Sequence, residues 1–220
     1  MKKRFGVAAV SFFIALAPMY SQTTDFFELV KTGTPQKIRA AITGGANVNT
    51  GDRYRTTPLM LAAGFNRNPD VINVLLKAGA DVQARDIDGL TPLMYAAKYN
   101  PNTEMIDLLL KAASNVNARA LDDWTALMYA AGRNQNPRMI AMLLKAGAGL
   151  EARDTSGSTA LMISAGLNQN PEVVNALLKS GADAKAKDIH GKTALDYAQR
   201  NLKLDGTDAY RELEKASRQN

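Results

Sequence analysis

Few side chains in this chain of 220 residues could carry out catalysis or hold a metal. Cysteine is absent, which excludes disulfides, thiolate ligands and cysteine nucleophiles, and His190 is the single histidine. The carboxylate pairs Asp122–Asp123 and Asp86–Asp88 lie in turn-like sequence, where neighbouring side chains rarely converge on one substrate. The sequence contains no serine-hydrolase, phosphate-loop, zinc-protease or calcium-loop motif. We therefore expect a protein that is not an enzyme and that uses no metal or cofactor.

A second set of side chains has the chemistry of a protein-binding surface. Its members are aromatic, large and apolar, or arginine, which are the usual anchors of protein interfaces. Six of them recur at spacings of four and 34 positions, so they share one helix face: Phe65, Tyr95, Tyr99, Tyr129, Arg133 and Leu167. Leu90 and Trp124 occupy one column of the turns next to that face. For Trp124, packing between repeats and partner binding are both open.

These residues are carried by a repeat of 34 residues. Five similar segments begin at Thr57, Thr91, Thr125, Thr159 and Thr193. Threonine followed by proline or alanine predicts the start of a first helix, and Asn66 and its equivalents, Asn100, Asn134 and Asn168, are expected to end it in a left-handed conformation. An asparagine cap such as Asn68, followed by proline, predicts a second helix, which Gly79, Gly147 and Gly181 would end. The residues after it have turn chemistry and predict a projecting finger.

This pattern resembles the ankyrin repeat, in its Thr-Pro-Leu start, its Ala-Ala and Leu-Leu pairs and its Gly-Ala-Asp-Val ending. The resemblance covers about residues 23–220 and implies an all-α repeat solenoid of helix-turn-helix units with projecting β-turn fingers. We expect an N-terminal capping repeat at 22–56, full repeats at 57–90, 91–124, 125–158 and 159–192, and a C-terminal capping repeat at 193–220. Terminal units should be atypical because one face of each meets water.

Three columns depart from the family pattern or stand out within it. The family's histidine, which forms hydrogen bonds between repeats, is replaced by Met60, Met94, Met128 and Met162, so those bonds must be replaced or absent. We expect the methionines to pack between repeats. Ala113 stands where the other repeats have a helix-ending glycine. Arg85, Arg119, Arg153 and Lys187 form a basic row on the fingers, which is either a solvated edge or a footprint for an acidic partner.

The N-terminus predicts export from the cytoplasm. Lys2, Lys3 and Arg4 precede an apolar run at 5–17, which is short for a membrane span and typical of a signal-peptide core. We expect a signal peptide at 1–21 with cleavage after Ser21, and an uncleaved anchor is the alternative. Removal lowers the basic residues from 27 to 24 against 21 acidic ones, so the net charge falls from +6 to +3. That small excess does not suggest nucleic-acid binding.

The sequence therefore predicts a monomeric, non-catalytic protein-interaction module in the periplasm or outside the cell. Its protein partner is of unknown identity, and we expect no nucleic acid and no stable membrane insertion after signal cleavage. Narrower alternatives are a secreted effector that binds host proteins and a periplasmic accessory protein that supports an enzyme such as one of oxidative defence. The helix-face residues would form the floor of the partner site, and Leu90 and Trp124 its rim.

Overall fold

Pairs of helices follow one another along the chain in a computed structural model that describes residues 17–218, with side chains from residue 25 onward. Most of the predicted signal peptide, and the side chains around its cleavage site after Ser21, lie outside the described residues. The helices are α1 (Ala17–Thr32), α2 (Pro35–Thr43), α3 (Pro58–Phe65), α4 (Asp70–Lys77), α5 (Pro92–Tyr99), α6 (Thr103–Lys111), α7 (Ala126–Arg133), α8 (Arg138–Lys145), α9 (Ala160–Leu167), α10 (Pro171–Lys179), α11 (Ala194–Ala198) and α12 (Asp208–Arg218).

The helices form two layers, as expected for an all-α repeat solenoid. The odd-numbered helices, which begin the repeats, pack side by side from α1 to α11, and the even-numbered helices pack behind them from α2 to α12. Between residues 17 and 218 the chain forms no β-strand. None of the helices described there has the length and apolar character that crossing a bilayer requires.

Threonine caps begin the first helix of each repeat, as the sequence predicts. The Thr57 hydroxyl oxygen accepts a hydrogen bond from the backbone N–H of Met60 at 3.4 Å, and the same bond recurs at the other four threonines. This bond satisfies one of the N–H groups that a helix leaves unpaired at its start. The five repeats that begin with threonine therefore share one register from their first residue.

The methionines that replace the family's histidine are core residues. Met60, Met94, Met128 and Met162 are at most 2% exposed. The sulfur atoms of Met60 and Met94 also accept the backbone N–H of the capping threonine three residues earlier, at 3.4 Å. The prediction that this column packs between repeats is confirmed.

Asparagines at the ends of the first helices join each repeat to the one before it. The Asn100 side-chain amide donates hydrogen bonds to the carbonyl oxygens of Ala63 and Asn66, at 3.0 and 2.8 Å. Equivalent pairs of bonds are made by Asn66, Asn134, Asn168 and Asn201. This asparagine ladder supplies bonds between repeats at a place other than the family's histidine column.

The prediction that these asparagines are left-handed is wrong. Asn66, Asn100, Asn134 and Asn168 are extended, with φ from −106° to −74° and ψ from 121° to 144°. The extended backbone turns each amide into the stack, where its buried donors meet carbonyl groups that would otherwise be unpaired. Its oxygen meanwhile accepts the backbone N–H two residues later, as Asn100 does from Asn102. Pairing of buried polar groups thus outweighs the ordinary helix-ending preference of asparagine.

The second helices end as predicted, and α6 and α10 begin at the predicted asparagine caps, whereas α4 and α8 begin one residue later, after Pro69 and Pro137. Asn68, Asn102, Asn136 and Asn170 each accept the backbone N–H two residues later. Gly79, Gly147 and Gly181 follow the helix ends with φ between 85° and 91°. Ala113 occupies the same position with φ 63°, a conformation that is unfavourable for a residue with a Cβ atom.

Candidate functional site

The fingers between repeats are turns, and most of them are organised by one aspartate. We define the fingers as residues 52–56, 86–90, 120–124, 154–158 and 188–192. In four of them the first residue is an aspartate whose Oδ1 accepts the backbone N–H groups two and four residues later: Asp52, Asp86, Asp154 and Asp188. The finger at 120–124 has Ala120 instead, so it lacks this carboxylate.

The basic row on the fingers has a structural role. Arg85 donates through Nη1 to the carbonyl oxygens of Gly89, in its own finger, and Arg119, one repeat later, at 3.0 and 2.6 Å. Arg119 and Arg153 repeat both bonds, with the carbonyl of Lys187 as the last acceptor. These guanidinium groups tie each finger to the next. We therefore do not take the row as the partner site.

Departures from the repeat are concentrated in the unit 91–124. Ala120 replaces the finger aspartate, and Asp123 has φ 63° where three other fingers have glycine. Lys98 stands in a column that is otherwise glycine in the neighbouring units, at 64, 132 and 166. Ser114 replaces an alanine, and its buried hydroxyl has no hydrogen-bond partner among the described residues. Together with Ala113, five structural columns are altered in this one unit.

The missing aspartate leaves one tyrosine without its usual partner. The Tyr95 hydroxyl donates to Oδ2 of Asp86, nine residues earlier, at 2.8 Å, and Tyr197 makes the same bond to Asp188. For Tyr129 the residue nine positions earlier is Ala120, and within residues 25–218 the Tyr129 hydroxyl has no hydrogen-bond partner. Only 5% of the Tyr129 surface is exposed. The Tyr129 ring is therefore buried, whereas its hydroxyl has no protein partner and stays in contact with solvent.

The unpaired hydroxyl belongs to a residue that lines a groove of about 400 Å³. The groove lies between the fingers at 86–90 and 120–124 and the first helices α5 and α7. Its lining consists of Asp86, Asp88, Leu90, Tyr95, Lys98, Tyr99, Leu121, Asp122, Trp124, Tyr129 and Arg133. We call this the aromatic groove.

Aromatic contacts hold the floor of the groove together. The rings of Phe65 and Tyr99 stack at 5.1 Å between centroids, and those of Tyr95 and Tyr99 lie 5.8 Å apart. The rings of Trp124 and Tyr129 are tilted against each other at 5.1 Å. Such pairs stabilise beyond their buried area, so the floor is a fixed surface.

Charges border the aromatic rings on both sides. The Lys98 ammonium lies 4.8 Å from the Tyr99 ring centroid and 5.2 Å from that of Tyr129, within the range of a cation–π contact. Burial raises the pKa of the Tyr129 hydroxyl well above its ordinary value, and the carboxylates of Asp122, Asp86 and Asp88 raise it further. The side of the groove formed by the fingers is therefore negative where it faces Tyr129.

The indole of Trp124 is fixed by the next finger. Its Nε1–H donates to Oδ2 of Asp154 at 3.1 Å. In that repeat the tyrosine column holds Ile163, so Asp154 has no tyrosine to pair with. The Trp124 nitrogen donates to this carboxylate instead, and this bond joins the finger at 120–124 to the finger at 154–158. The indole ring lines the groove.

Six of the eight residues predicted for partner binding line the groove: Leu90, Tyr95, Tyr99, Trp124, Tyr129 and Arg133. Phe65 extends it through its stacking on Tyr99, whereas Leu167 is 50% exposed but is not part of the lining. Leu90 is only 6% exposed, so it forms the wall and not the rim that we expected. Hydrogen bonding in the finger exposes Leu121 instead, at 75%.

Five lining residues were missed from the sequence as binding residues: Asp86, Lys98, Leu121, Asp88 and Asp122. Lys98 could have been found, because it interrupts a column of glycines. Ala120 gave a second signal, since an alanine in an aspartate column opens space beside Tyr129. Asp88 and Asp122 gave none, because carboxylates are ordinary turn residues.

Comparison with protein families accounts for the repeats. A family described as Ankyrin repeats (3 copies) matches residues 68–154, and one described as Ankyrin repeats (many copies) matches residues 150–198. These matches contain both fingers and both helices that form the aromatic groove. No curated protein matches the chain. The chain therefore belongs to the ankyrin repeat family, whose repeats are protein-interaction modules.

Proposed function

We propose that this protein binds a protein partner by taking part of it into the aromatic groove. The observation that carries the proposal is the clustering of departures in the unit 91–124. A residue needed only for stacking recurs from unit to unit, as the asparagine ladder does. Five structural columns change in the one unit whose finger and first helix form the groove, and several of these changes cost stability. A binding role in this unit accounts for departures that stacking alone does not require.

The nature of the surface also supports a binding role. Tyr99 and Leu121 are exposed large side chains, at 44% and 75%, and they flank the buried ring of Tyr129 and the half-buried ring of Trp124. Aromatic anchors with a polar surround are typical of the energetic centre of protein interfaces. In the described residues no three histidine or acidic side chains form a metal site, and we propose no catalytic role for the groove.

Selection from a random peptide library on the folded protein tests the proposal. Enriched peptides should lose binding to a Tyr99→Ala/Trp124→Ala double variant by about 2 kcal/mol or more, with helical content unchanged. Leu121→Ala tests the exposed edge of the groove on the same peptides. Ile189→Ala is its matched control, because both residues are exposed apolar residues in the same finger column and only Leu121 lines the groove. Enriched peptides that bind the double variant as tightly as the original protein would show that the partner site lies elsewhere.

We also propose that the protein acts after export, in the periplasm or outside the cell. Support comes from the basic residues and the apolar run at 1–17, which have the order of a signal peptide. An intact mass of the exported chain that begins at Gln22 is the expected result. Full-length chain in the membrane fraction would contradict it. Fractionation also separates a periplasmic accessory protein, such as one that supports an oxidative-defence enzyme, from a secreted effector.

A further inference from the structure

The aromatic groove contains two exposed carboxylates that form no ion pair with the basic groups of residues 25–218. Asp88 and Asp122 both line it, and neither forms an ion pair with another residue in the part of the chain described. The Asp88 side chain accepts no hydrogen bond from those residues, and Asp122 accepts only the backbone N–H of Trp124, at 3.1 Å. Asp86 differs, because it holds its own finger together and accepts the Tyr95 hydroxyl.

The Tyr129 hydroxyl adds a polar atom that has no hydrogen-bond partner among residues 25–218. It is not one of the fully buried polar atoms, so water reaches it from the groove, and an N–H group of a bound partner can take the place of that water. Tyr129 is 95% buried, given its 5% exposure, and its oxygen can accept a hydrogen bond from a bound N–H group. The charged groups that act on this hydroxyl most strongly are the three carboxylates Asp122, Asp86 and Asp88.

The rings of the groove already attract a positive charge. Lys98 extends over Tyr99 and Tyr129 from a column where neighbouring units have glycine. Its ammonium forms no ion pair with another described residue, and its contacts with the two rings are cation–π contacts. Arg133, the other basic residue of the lining, is exposed at the end of α7. A second cation can enter on the side of the fingers, where the carboxylates lie.

We propose that the aromatic groove binds a basic side chain of the partner, an arginine in preference to a lysine. Its guanidinium would lie against Trp124 and Tyr129, donate to the carboxylates of Asp88 and Asp122, and donate to the Tyr129 hydroxyl. A planar group with several donors fits two carboxylates and an aromatic face better than an ammonium does. An acidic side chain would be repelled by three carboxylates and could use only Lys98 and Arg133. The inference rests on the proposed function and adds the chemistry of the anchor.

Trp124 is the only tryptophan, so its fluorescence reports on the groove directly. The probes are three blocked peptides that differ at one residue: Ac-Gly-Arg-Gly-amide, the same peptide with citrulline, which has the shape of arginine without the charge, and the same peptide with glutamate. The arginine peptide should give a saturable change in emission. The citrulline and glutamate peptides should bind about tenfold more weakly or not at all.

Variants locate the effect within the groove. Asp88→Asn/Asp122→Asn should weaken the arginine peptide about tenfold, and Tyr129→Phe should weaken it several-fold. The control is Asp25→Asn/Asp205→Asn, which changes the net charge equally at two exposed aspartates outside the groove and should leave binding unchanged. Circular dichroism confirms that each variant is folded.

Equal binding of the arginine and citrulline peptides would overturn the inference, as would tighter binding of the glutamate peptide or an unaffected Asp88→Asn/Asp122→Asn variant. Failure here is distinct from failure of the proposed function. The library selection counts any peptide that Tyr99→Ala/Trp124→Ala releases, whatever its charge. Groove-binding peptides without a basic residue would keep the proposed function and remove the arginine site.

Discussion

The hydroxyl of Tyr95 donates a 2.8 Å hydrogen bond to Asp86, the carboxylate that also organises the finger nine residues earlier. Tyr129 is the same residue type one repeat later, and it has no such acceptor because Ala120 takes the aspartate's place. The pair therefore separates the effect of the hydroxyl from that of the ring. Tyr95→Phe should lower the free energy of unfolding by about 1 kcal/mol, whereas Tyr129→Phe should change it by no more than about 0.5 kcal/mol. Urea unfolding followed by circular dichroism measures both; an equal loss in the two variants would contradict the assignment.

Restoring the aspartate should stabilise the altered finger. In Ala120→Asp the new carboxylate would accept the Tyr129 hydroxyl and the backbone N–H groups of Asp122 and Trp124, as Asp86 does in its own finger. We expect a gain of about 1 kcal/mol in thermal or urea unfolding. Ala120→Asn is the control, because it adds similar volume without the charge. A loss of stability in both variants would mean that Trp124 leaves no room beside Ala120.

The asparagine ladder predicts a large cost at an internal rung. Asn134→Ala removes two hydrogen bonds to the carbonyls of Ala97 and Asn100 and one from the backbone N–H of Asn136, and the residue is 4% exposed. We expect a loss of about 3 kcal/mol in the free energy of unfolding, since buried carbonyls become unpaired. Asn201→Ala breaks equivalent bonds at a half-buried site near the C-terminal end and should cost less. Equal costs would show that water replaces the amide at both positions.

Ala113 occupies a left-handed position that favours glycine. Its φ is 63°, and a Cβ added at Gly79, Gly147 or Gly181 would meet no atom within 4 Å, so the cost of a side chain in this column is confined to the backbone. Ala113→Gly should therefore raise the free energy of unfolding by about 1 kcal/mol. Gly147→Ala should lower it by about the same amount. A lower melting temperature for Ala113→Gly would contradict this account.

The sequence predicts most of the fold, because many helix boundaries are set by local chemistry that recurs in three to five of the repeats. Thr91 caps its helix through a bond to a residue three positions away, and Asn102 and Gly147 act over similarly short distances. The ladder could not be read in this way. From the sequence alone, Asn100 looks like a residue that ends a helix. Its hydrogen-bond partners Ala63 and Asn66 become neighbours only when the repeats stack.

The candidate site is less predictable for the same reason. Exposed helix-face residues such as Tyr99 follow from position alone, and their exposure is confirmed. Leu90 is the last residue of its finger and is buried, whereas Leu121 is the second residue of its finger and is exposed, and the sequence alone does not show which finger position faces solvent. Lys98 and Ala120 can be recognised as unusual only once the glycine and aspartate columns are known to have structural roles. Their effect on the groove depends on Tyr129, which lies in the next repeat.

The strain collected in the unit 91–124 bears on how the array moves. Ala113 and Asp123 hold unfavourable backbone conformations, and the Ser114 hydroxyl is buried without a partner among the described residues, so we expect this unit to be the least stable one in the interior of the stack. Backbone amides there should exchange with solvent before those of the units on either side, through sub-global opening. A ligand that contacts α5, α7 and the fingers at 86–90 and 120–124 would stabilise this unit against its neighbours. More repeats would then unfold together as one cooperative unit. Binding would be detected as slower amide hydrogen exchange in repeats that do not contact the ligand.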